Sequence, residues 1–202
     1  MEFAGALEEL IHHELSRDFP GLDMKECRII LLEARDAILP QVPPKLRLYS
    51  LKRLEAMGVE VRLNTQVKGA EDGKVLLADD SAIHSHTMVW SAGVQASPLA
   101  DVPGVSRVAN GRISVLPDLS INGHGEVFVI GDTAFLEQDG KPLPMVASVA
   151  MQQGEYAARA ILSRIRGDDI PPFRYYDKGA MAIIGRNSAV ARIFGINMTG
   201  FF

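Results

Sequence analysis

Apolar positions in the first third of the chain alternate between helical and strand-like spacing. Helical spacing from residue 3 to residue 15 stops before Pro20 and Gly21, which predicts an amphipathic helix. Residues 27 to 32 are largely apolar up to Glu33, as in a parallel strand covered on both faces. A second helix is predicted from Pro43-Pro44 to Gly58, and a strand at 59 to 63. The buried face of the first helix is expected to consist of Phe3, Leu7, Leu10, Ile11 and Leu15.

The spacing shortens in the middle of the chain. Between residues 67 and 83, short strand-like runs alternate with turn residues, which predicts an antiparallel meander. Residues 87 to 93, "TMVWSAG", resemble another buried strand that ends in small residues. The connection at 96 to 115 is rich in glycine and proline and predicts a loop. We therefore place a module boundary near residues 88 to 93.

The last third begins with "HGEVFVIGDTA", in which residues 127 to 130 predict a buried strand that delivers Asp132 at its carboxyl end. In open α/β sheets, ligands bind outside the carboxyl ends of the strands. A long helix is predicted at residues 145 to 165 and ends at Gly167. A hairpin is predicted to turn at Gly185-Arg186-Asn187.

Composition excludes several classes of function. With 202 residues, 47% of them hydrophobic, and a net charge of -4, the chain predicts a globular fold without general attraction for nucleic acid. Cys27 is the single cysteine, so neither a redox pair nor a cysteine zinc cage can form. The run "HHEL" lacks the second histidine of a metalloprotease helix because Arg17 stands there. We expect no metal site, and we expect His12 and His13 to face solvent.

Neither a signal peptide nor a membrane-spanning run is visible in the sequence. Residue 2 already belongs to a helical pattern, and the last residues, "GINMTGFF", are apolar. We therefore expect the chain to be a fragment of a longer protein.

Two carboxylates have the positions of ligand-binding residues. Glu33 closes a strand of a βαβ-like unit, where an acid can bind the ribose of NAD; the alternative is a solvated carboxylate at a strand end. Asp132 can hold a ligand hydroxyl; the alternative is a turn or helix cap. The glycine-rich loop GxGxxG does not occur in the sequence, so a dinucleotide fingerprint is at best half present.

Five stretches resemble one family in order along the chain: "MEFAGALEEL", "VWSAGV", "VFVIGDTA", "LPMVASVAMQQGEYAA" and "DKGAMAIIGRNSAV". They are similar to type II NADH dehydrogenase, the single-subunit NADH:quinone oxidoreductase of the two-dinucleotide-binding flavoproteins. The resemblance implies an α/β, Rossmann-like, partial fold with an antiparallel meander and a C-terminal hairpin. It also implies a truncated NAD(H)-binding domain at 1–88, the last part of an FAD-binding domain at 89–167, and the start of a C-terminal region at 168–202.

The resemblance further assigns roles to individual residues. Contacts with the cofactors FAD and NAD are expected from Glu2, Glu33, Ala92, Gly93, Gly131, Asp132, Val146 and Ala147. Gln152 and Gln153 match paired glutamines near the flavin and the quinone; the alternative is that both are polar residues on the outer face of a helix. Lys178 matches a lysine close to the flavin. Ser148 departs from the family pattern, since relatives often have Pro or Gln there.

The activity implied is hydride transfer from NADH to FAD and transfer of two electrons to a quinone without proton pumping. The parent protein would be a peripheral protein on the cytoplasmic face of the inner membrane and would pair as a homodimer. Two alternatives remain, a ferredoxin-reductase-like flavoprotein and a truncated interaction module without catalysis. Because the first FAD-binding unit and both diphosphate-binding loops are missing from the sequence, we expect the 202 residues alone to be inactive.

Overall fold

The computed structural model describes residues 1–98, 101 and 104–201. In these ranges the helices are α1 (Glu2–Glu9), α2 (Ser16–Asp18), α3 (Pro44–Met57) and α4 (Ala147–Arg166), with a π-helix at Leu10–Leu15. The strands are β1 (Ile30–Leu32), β2 (Glu60–Arg62), β3 (Val67–Glu71), β4 (Lys74–Leu77), β5 (Ala82–His84), β6 (Ile113–Ser114), β7 (Ser120–Ile121), β8 (His124–Phe128), β9 (Ala134–Phe135), β10 (Glu137–Gln138), β11 (Lys141–Pro142), β12 (Gly179–Gly185), β13 (Ser188–Ile193) and β14 (Ile196–Gly200). Residues 99, 100, 102 and 103 of the predicted connection, and residue 202, lie outside the described residues.

The chain divides into two compact units. Unit 1 combines Met1–Val89 with Lys178–Phe202, and unit 2 is Trp90–Asp177. The sequence division at residues 88 and 167 concerns which cofactor each segment serves, and that division stays a prediction. In the described ranges no helix is both long enough and apolar enough to cross a membrane.

Helix α3 confirms the predicted second helix of unit 1. It begins at Pro44, which suits a first turn because proline has no N–H to satisfy, and it ends at Gly58 with a left-handed φ of 100°. Its buried side chains are Leu46, Ser50 and Leu54. The Ser50 hydroxyl donates to the Leu46 carbonyl at 2.9 Å, so burial leaves its polar group satisfied.

The predicted parallel strand is present but shorter than expected. Strand β1 pairs in parallel with β2, in the register Ile30 to Glu60, and does not include residues 27 to 29. Cys27 is exposed, and Arg28 instead forms an ion pair with Glu60 at 2.7 Å. The prediction was too long because it followed the apolar run, whereas only Ile30–Leu32 pair with a neighbouring strand.

The buried face predicted for the first helix is only partly right: Leu7, Ile11 and Leu15 are half-buried, but two of its members are exposed. Phe3 and Leu10 are 53% and 46% exposed, whereas the buried residues of α1 are Ala4, Gly5 and Glu8. Helix α1 packs so closely on β12 that a Cβ at Gly5 would overlap the Ile184 carbonyl group. Close approach thus selects the smallest side chains for the buried face, and the larger apolar side chains lie elsewhere on the helix.

The hairpin predicted at residues 185 to 187 is confirmed. Strands β12 and β13 pair antiparallel, and β14, which was not predicted, adds a third strand to the sheet. One face of this sheet contributes Ala182, Ile184 and Val190 to the core of unit 1, where they join Leu46 and Leu54. Residues from both separated stretches of the chain therefore build one core.

The predicted meander is also confirmed, since β3, β4 and β5 form a three-stranded antiparallel sheet. The strand predicted for "TMVWSAG" is wrong. Met88, Val89 and Trp90 are 47%, 53% and 61% exposed and have irregular structure. A strand needs a neighbour that accepts its backbone hydrogen bonds, and no described strand pairs with these residues.

Unit 2 is organised around α4, which confirms the predicted long helix and ends at Gly167 in a left-handed conformation. The helix packs on a core that contains Val115, Leu119, Ala134, Leu143, Val149, Tyr156, Ala160 and Phe173. The prediction of a buried strand at 127 to 130 is wrong. Strand β8 pairs antiparallel with β7, and Val127 and Ile130 are 42% and 39% exposed.

Candidate functional site

The most informative feature of unit 2 is the short 3₁₀ turn Gly131–Thr133, called here the GD turn, which follows β8. Gly131 has a φ of 68°, a conformation that glycine adopts without the penalty of a Cβ. Asp132 is exposed at the first turn. The sequence thus correctly placed a carboxylate after a strand, although that strand belongs to an antiparallel pair.

The GD turn is held against the first turns of α4. The Gly131 N–H donates a hydrogen bond of 2.6 Å to Oε1 of Gln153, which is only 1% exposed. A Cβ placed on Gly131 would lie 3.5 Å from Cβ of Ala150, so the turn and the helix are in contact. One turn further along, Gly154 faces the side chain of Ile130. Helix α4 therefore fixes the position of the backbone that carries Asp132.

The amino end of α4 has no side-chain cap. Val146 is its N-cap residue, with an extended φ of -137°, and Ala147 begins the helix; both are exposed. An uncapped helix start has unpaired N–H groups and a partial positive charge, which favour an anion or an electron-rich group. Next along the helix, the Ser148 hydroxyl lies 2.9 Å from the Tyr175 hydroxyl.

Gln152 and its neighbour Gln153 have different partners. The Gln152 amide donates to the Tyr176 carbonyl at 2.9 Å and accepts from the Tyr176 N–H at 3.0 Å. Gln138 makes the same two bonds with the backbone of Tyr175, at 3.1 and 2.8 Å. The interpretation of both glutamines as solvent-facing residues is wrong, whereas their role beside a quinone stays a prediction.

In unit 1, the predicted cofactor residues Glu2 and Glu33 lie near the start of α1 and the end of β1. Glu2 accepts a hydrogen bond from the Ile183 N–H at 2.8 Å, and Glu33 accepts one from the Arg35 N–H at 2.9 Å. Burial lowers the pKa of the Met1 amino group, and the charges of Glu2 and Glu33 partly offset this effect. The structure therefore brings these two carboxylates to the same end of the unit.

The remaining predicted residues are placed less tightly. Ala92 and Gly93 lie in an irregular, exposed segment of unit 2, where Gly93 has a φ of 93°. Lys178 is exposed and immediately precedes β12 in unit 1. Their predicted contacts with a flavin stay predictions.

Sequence reasoning missed two sets of contacts that hold neighbouring segments together. Gln138 was not singled out from the sequence, although it holds the backbone of Tyr175. Glu9 accepts from the Arg186 N–H at 2.6 Å, one end of a contact whose other end is Glu2. A helical spacing of seven residues between Glu2 and Glu9 was the available signal, because it places both on one face.

His12 was predicted to face solvent, but its ring is partly buried and contacts other residues. Its Nδ1 lies 3.1 Å from Oε1 of Glu8, and its Nε2 lies 3.2 Å from the Met24 carbonyl oxygen. The side chain therefore links the π-helix to α1 and to the following segment. Across residues 1–98, 101 and 104–201, no three His, Cys, Asp or Glu side chains form a cluster suited to a metal ion.

Residues 1–154 match the pyridine nucleotide-disulphide oxidoreductase family. The chain belongs to this family. Its fold agrees, since 98% of the chain superposes on 56% of NDH2 from Plasmodium falciparum, solved in complex with NADH, with a TM-score of 0.85 at 14% identity. The α/β, Rossmann-like fold predicted from the sequence is thereby confirmed.

Within this oxidoreductase family, the resemblance to type II enzymes is confirmed. The chain is 38% identical over 215 residues to type II NADH:quinone oxidoreductase NdhA of Mycobacterium tuberculosis, covering 100% of the chain and 45% of the relative. It is 35% identical over 205 residues to the type II NADH:quinone oxidoreductase of Staphylococcus haemolyticus, covering 99% and 50%. The chain thus spans about half the length of the curated relatives it matches.

Proposed function

We propose that this chain forms part of a flavoprotein that oxidises NADH and reduces a quinone, with FAD as its cofactor. The observation that carries the proposal is the GD turn, which is seated on the amino end of α4 and presents Asp132. Similarity to type II NADH:quinone oxidoreductases along the chain supports the choice of donor and acceptor.

The residues of unit 2 fit one side of a flavin site. An exposed carboxylate at Asp132 can accept hydrogen bonds from the hydroxyls of a ribityl chain. The uncapped start of α4, at Val146 and Ala147, offers N–H groups and a positive dipole end to negative charge on a reduced ring. FAD supplies the hydride and electron transfer, and the protein supplies orientation and electrostatics.

The residues of unit 1 fit part of a site for NADH. Glu33 lies at the carboxyl end of β1, where a carboxylate accepts hydrogen bonds from ribose hydroxyls and repels a 2′-phosphate. Glu2 lies in the first turn of α1, close enough to Glu33 that both influence the Met1 amino group. These two carboxylates would select NADH over NADPH.

We place Gln152 on the acceptor side, and Gln153 and Lys178 close to the flavin, as the resemblance implies. The Gln152 amide is engaged by Tyr176, so its contribution would include holding that segment in place. Attachment to the cytoplasmic face of the inner membrane and pairing of two copies belong to the same proposal. They rest on the resemblance alone, and fractionation of cells followed by cross-linking would test them.

The test uses the purified full-length protein, which is examined for flavin absorbance at about 450 nm and for quinone reduction by NADH. The proposal expects both, together with a much higher specificity constant for NADH than for NADPH. Replacing Glu33 by Gln should narrow that preference because the repulsion of the 2′-phosphate is lost. A protein without flavin, or one that uses NADH and NADPH equally before any substitution, would contradict the corresponding part of the proposal.

A further inference from the structure

Gln152 and Gln153 are adjacent on α4 and therefore project about 100° apart around the helix axis. Gln152 points to the backbone of Tyr176, whereas Gln153 is buried and bonded to the Gly131 N–H. Two neighbouring glutamines that look equivalent in sequence thus make contacts with different segments.

We propose that Gln153 is a positioning residue for the flavin site: its amide oxygen fixes the Gly131 peptide, and with it the direction in which Asp132 leaves the backbone. The inference rests on the proposed function and assigns to Gln153 a task separate from that of Gln152. At 1% exposure, Gln153 acts through Gly131 rather than by touching a bound molecule.

The backbone at Gly131 explains why such a bond matters. Gly131 has a φ of 68° and no Cβ. Because glycine is the most flexible residue in the backbone, the peptide before Asp132 could adopt many orientations in the absence of a further contact. The 2.6 Å hydrogen bond from the Gly131 N–H to Gln153 selects one orientation of that peptide. A binding turn that is already ordered loses less entropy when its ligand binds.

The surroundings of α4 hold the same arrangement from the other side. Ala150 and Gly154 are small and face Gly131 and Ile130, so the turn can approach the helix closely enough for the Gln153 side chain to reach it. Burial also excludes water that would compete for the Gly131 N–H. The contact is therefore a built support for the turn.

The experiment measures FAD affinity and the visible circular dichroism of bound flavin in the full-length protein. Gln153→Met keeps the length of the side chain but removes the acceptor, and should weaken FAD binding about 5- to 100-fold. Gln153→Glu keeps an acceptor oxygen and should lie closer to the wild type. Gln138→Met is the matched control, because it removes glutamine bonds to the backbone of Tyr175 and none to the GD turn.

The expected pattern is a large loss of affinity and an altered flavin dichroism for Gln153→Met, with FAD affinity of Gln138→Met within about twofold of the wild type. Should Gln153→Met not fold, Gln153→Asn retains the amide but shortens its reach by one methylene and is expected to show the same loss. Equal losses for the variants at 138 and 153 would show a general packing role and overturn the inference. Unchanged affinity in Gln153→Met would overturn it too, whereas a wild-type protein that binds no FAD would remove the proposed function itself.

Discussion

Replacing Gly5 by Ala should destabilise unit 1, because helix α1 packs directly on the backbone of β12 at this residue. The added Cβ would overlap the Ile184 carbonyl oxygen and lie 3.0 Å from its carbonyl carbon. These are backbone atoms, so the helix or β12 must move. Two hydrogen bonds flank this contact: the Ile183 N–H donates to Glu2 at 2.8 Å, and the Arg186 N–H donates to Glu9 at 2.6 Å.

The magnitude follows from these terms. Overpacking costs about 1 to 3 kcal/mol, and a charge-assisted hydrogen bond contributes about 1.5 to 3 kcal/mol, toward the lower end here because both carboxylates bond at exposed positions. A movement that strains the contact and weakens both bonds should cost about 3 to 5 kcal/mol in free energy of unfolding. At about 2 to 4 °C per kcal/mol, the melting temperature should fall by about 6 to 20 °C.

The assay is thermal unfolding followed by circular dichroism, with hydrogen exchange to localise the loss to α1 and β12. Gly69→Ala is the control, because Gly69 lies in β3 of the same unit and nothing lies within 4 Å of its added Cβ. That control should change stability by about 0.5 kcal/mol or less. If Gly5→Ala melts like Gly69→Ala, the close packing of α1 on β12 is refuted.

Three further predictions concern unit 2. Asp132→Ala should weaken FAD retention by about one to two decades, since a charge-assisted hydrogen bond of about 1.5 to 3 kcal/mol is lost, while far-ultraviolet circular dichroism stays unchanged; flavin content after dialysis measures it, and full occupancy would refute the assignment. Gln152→Ala should slow reoxidation of the flavin by quinone more than its reduction by NADH, measured by stopped flow, and equal slowing would indicate a packing role instead. Asp118→Asn should cost about 1 kcal/mol near neutral pH. Burial by itself raises the pKa of Asp118, but hydrogen bonds from Ser120 and the charge of Arg164 outweigh this effect and hold the pKa below its ordinary value of 3.8. The ionised carboxylate therefore stabilises the fold at pH values above 3.8. The difference between this variant and the wild type should therefore vanish as the pH falls below that value in urea titrations, and a constant difference would contradict the reasoning.

Local signals predicted the elements whose formation depends on local residues. Helix α3 has a proline at its start and Gly58 after its end, and α4 ends at Gly167; all three markers act through their own backbone conformations. The hairpin of β12 and β13 likewise has recognisable turn residues, at 185 to 187, between its two strands. These elements were predicted because their causes lie within a few residues.

Elements that depend on distant partners were predicted less well. Met88, Val89 and Trp90 are apolar enough for a strand but pair with no described strand. The exposure of Phe3 follows from the close approach of α1 to β12, far away in sequence. Apolar spacing reports which residues could be buried, and the tertiary partner decides which of them are.

The candidate site shows the same division. Gly131-Asp132 was recognisable because a glycine and a carboxylate follow an apolar run. The different tasks of Gln152 and Gln153 were not, because nothing in the sequence says which backbone groups their amides bond. A hydrogen bond from a side-chain amide to a distant backbone group produces no periodic pattern in the sequence by which it could be recognised.

The division of unit 1 into two separated stretches has a consequence for biosynthesis. The first stretch leaves the ribosome with Leu46 and Leu54 still lacking Ile184 and Val190, their partners from the last stretch. Unit 2, continuous from Trp90 to Asp177, is synthesised in between, which takes roughly 4 to 18 s at about 5 to 20 residues per second. Unit 2 can therefore complete its core during synthesis, whereas the apolar surface of unit 1 stays uncovered until its last strands emerge.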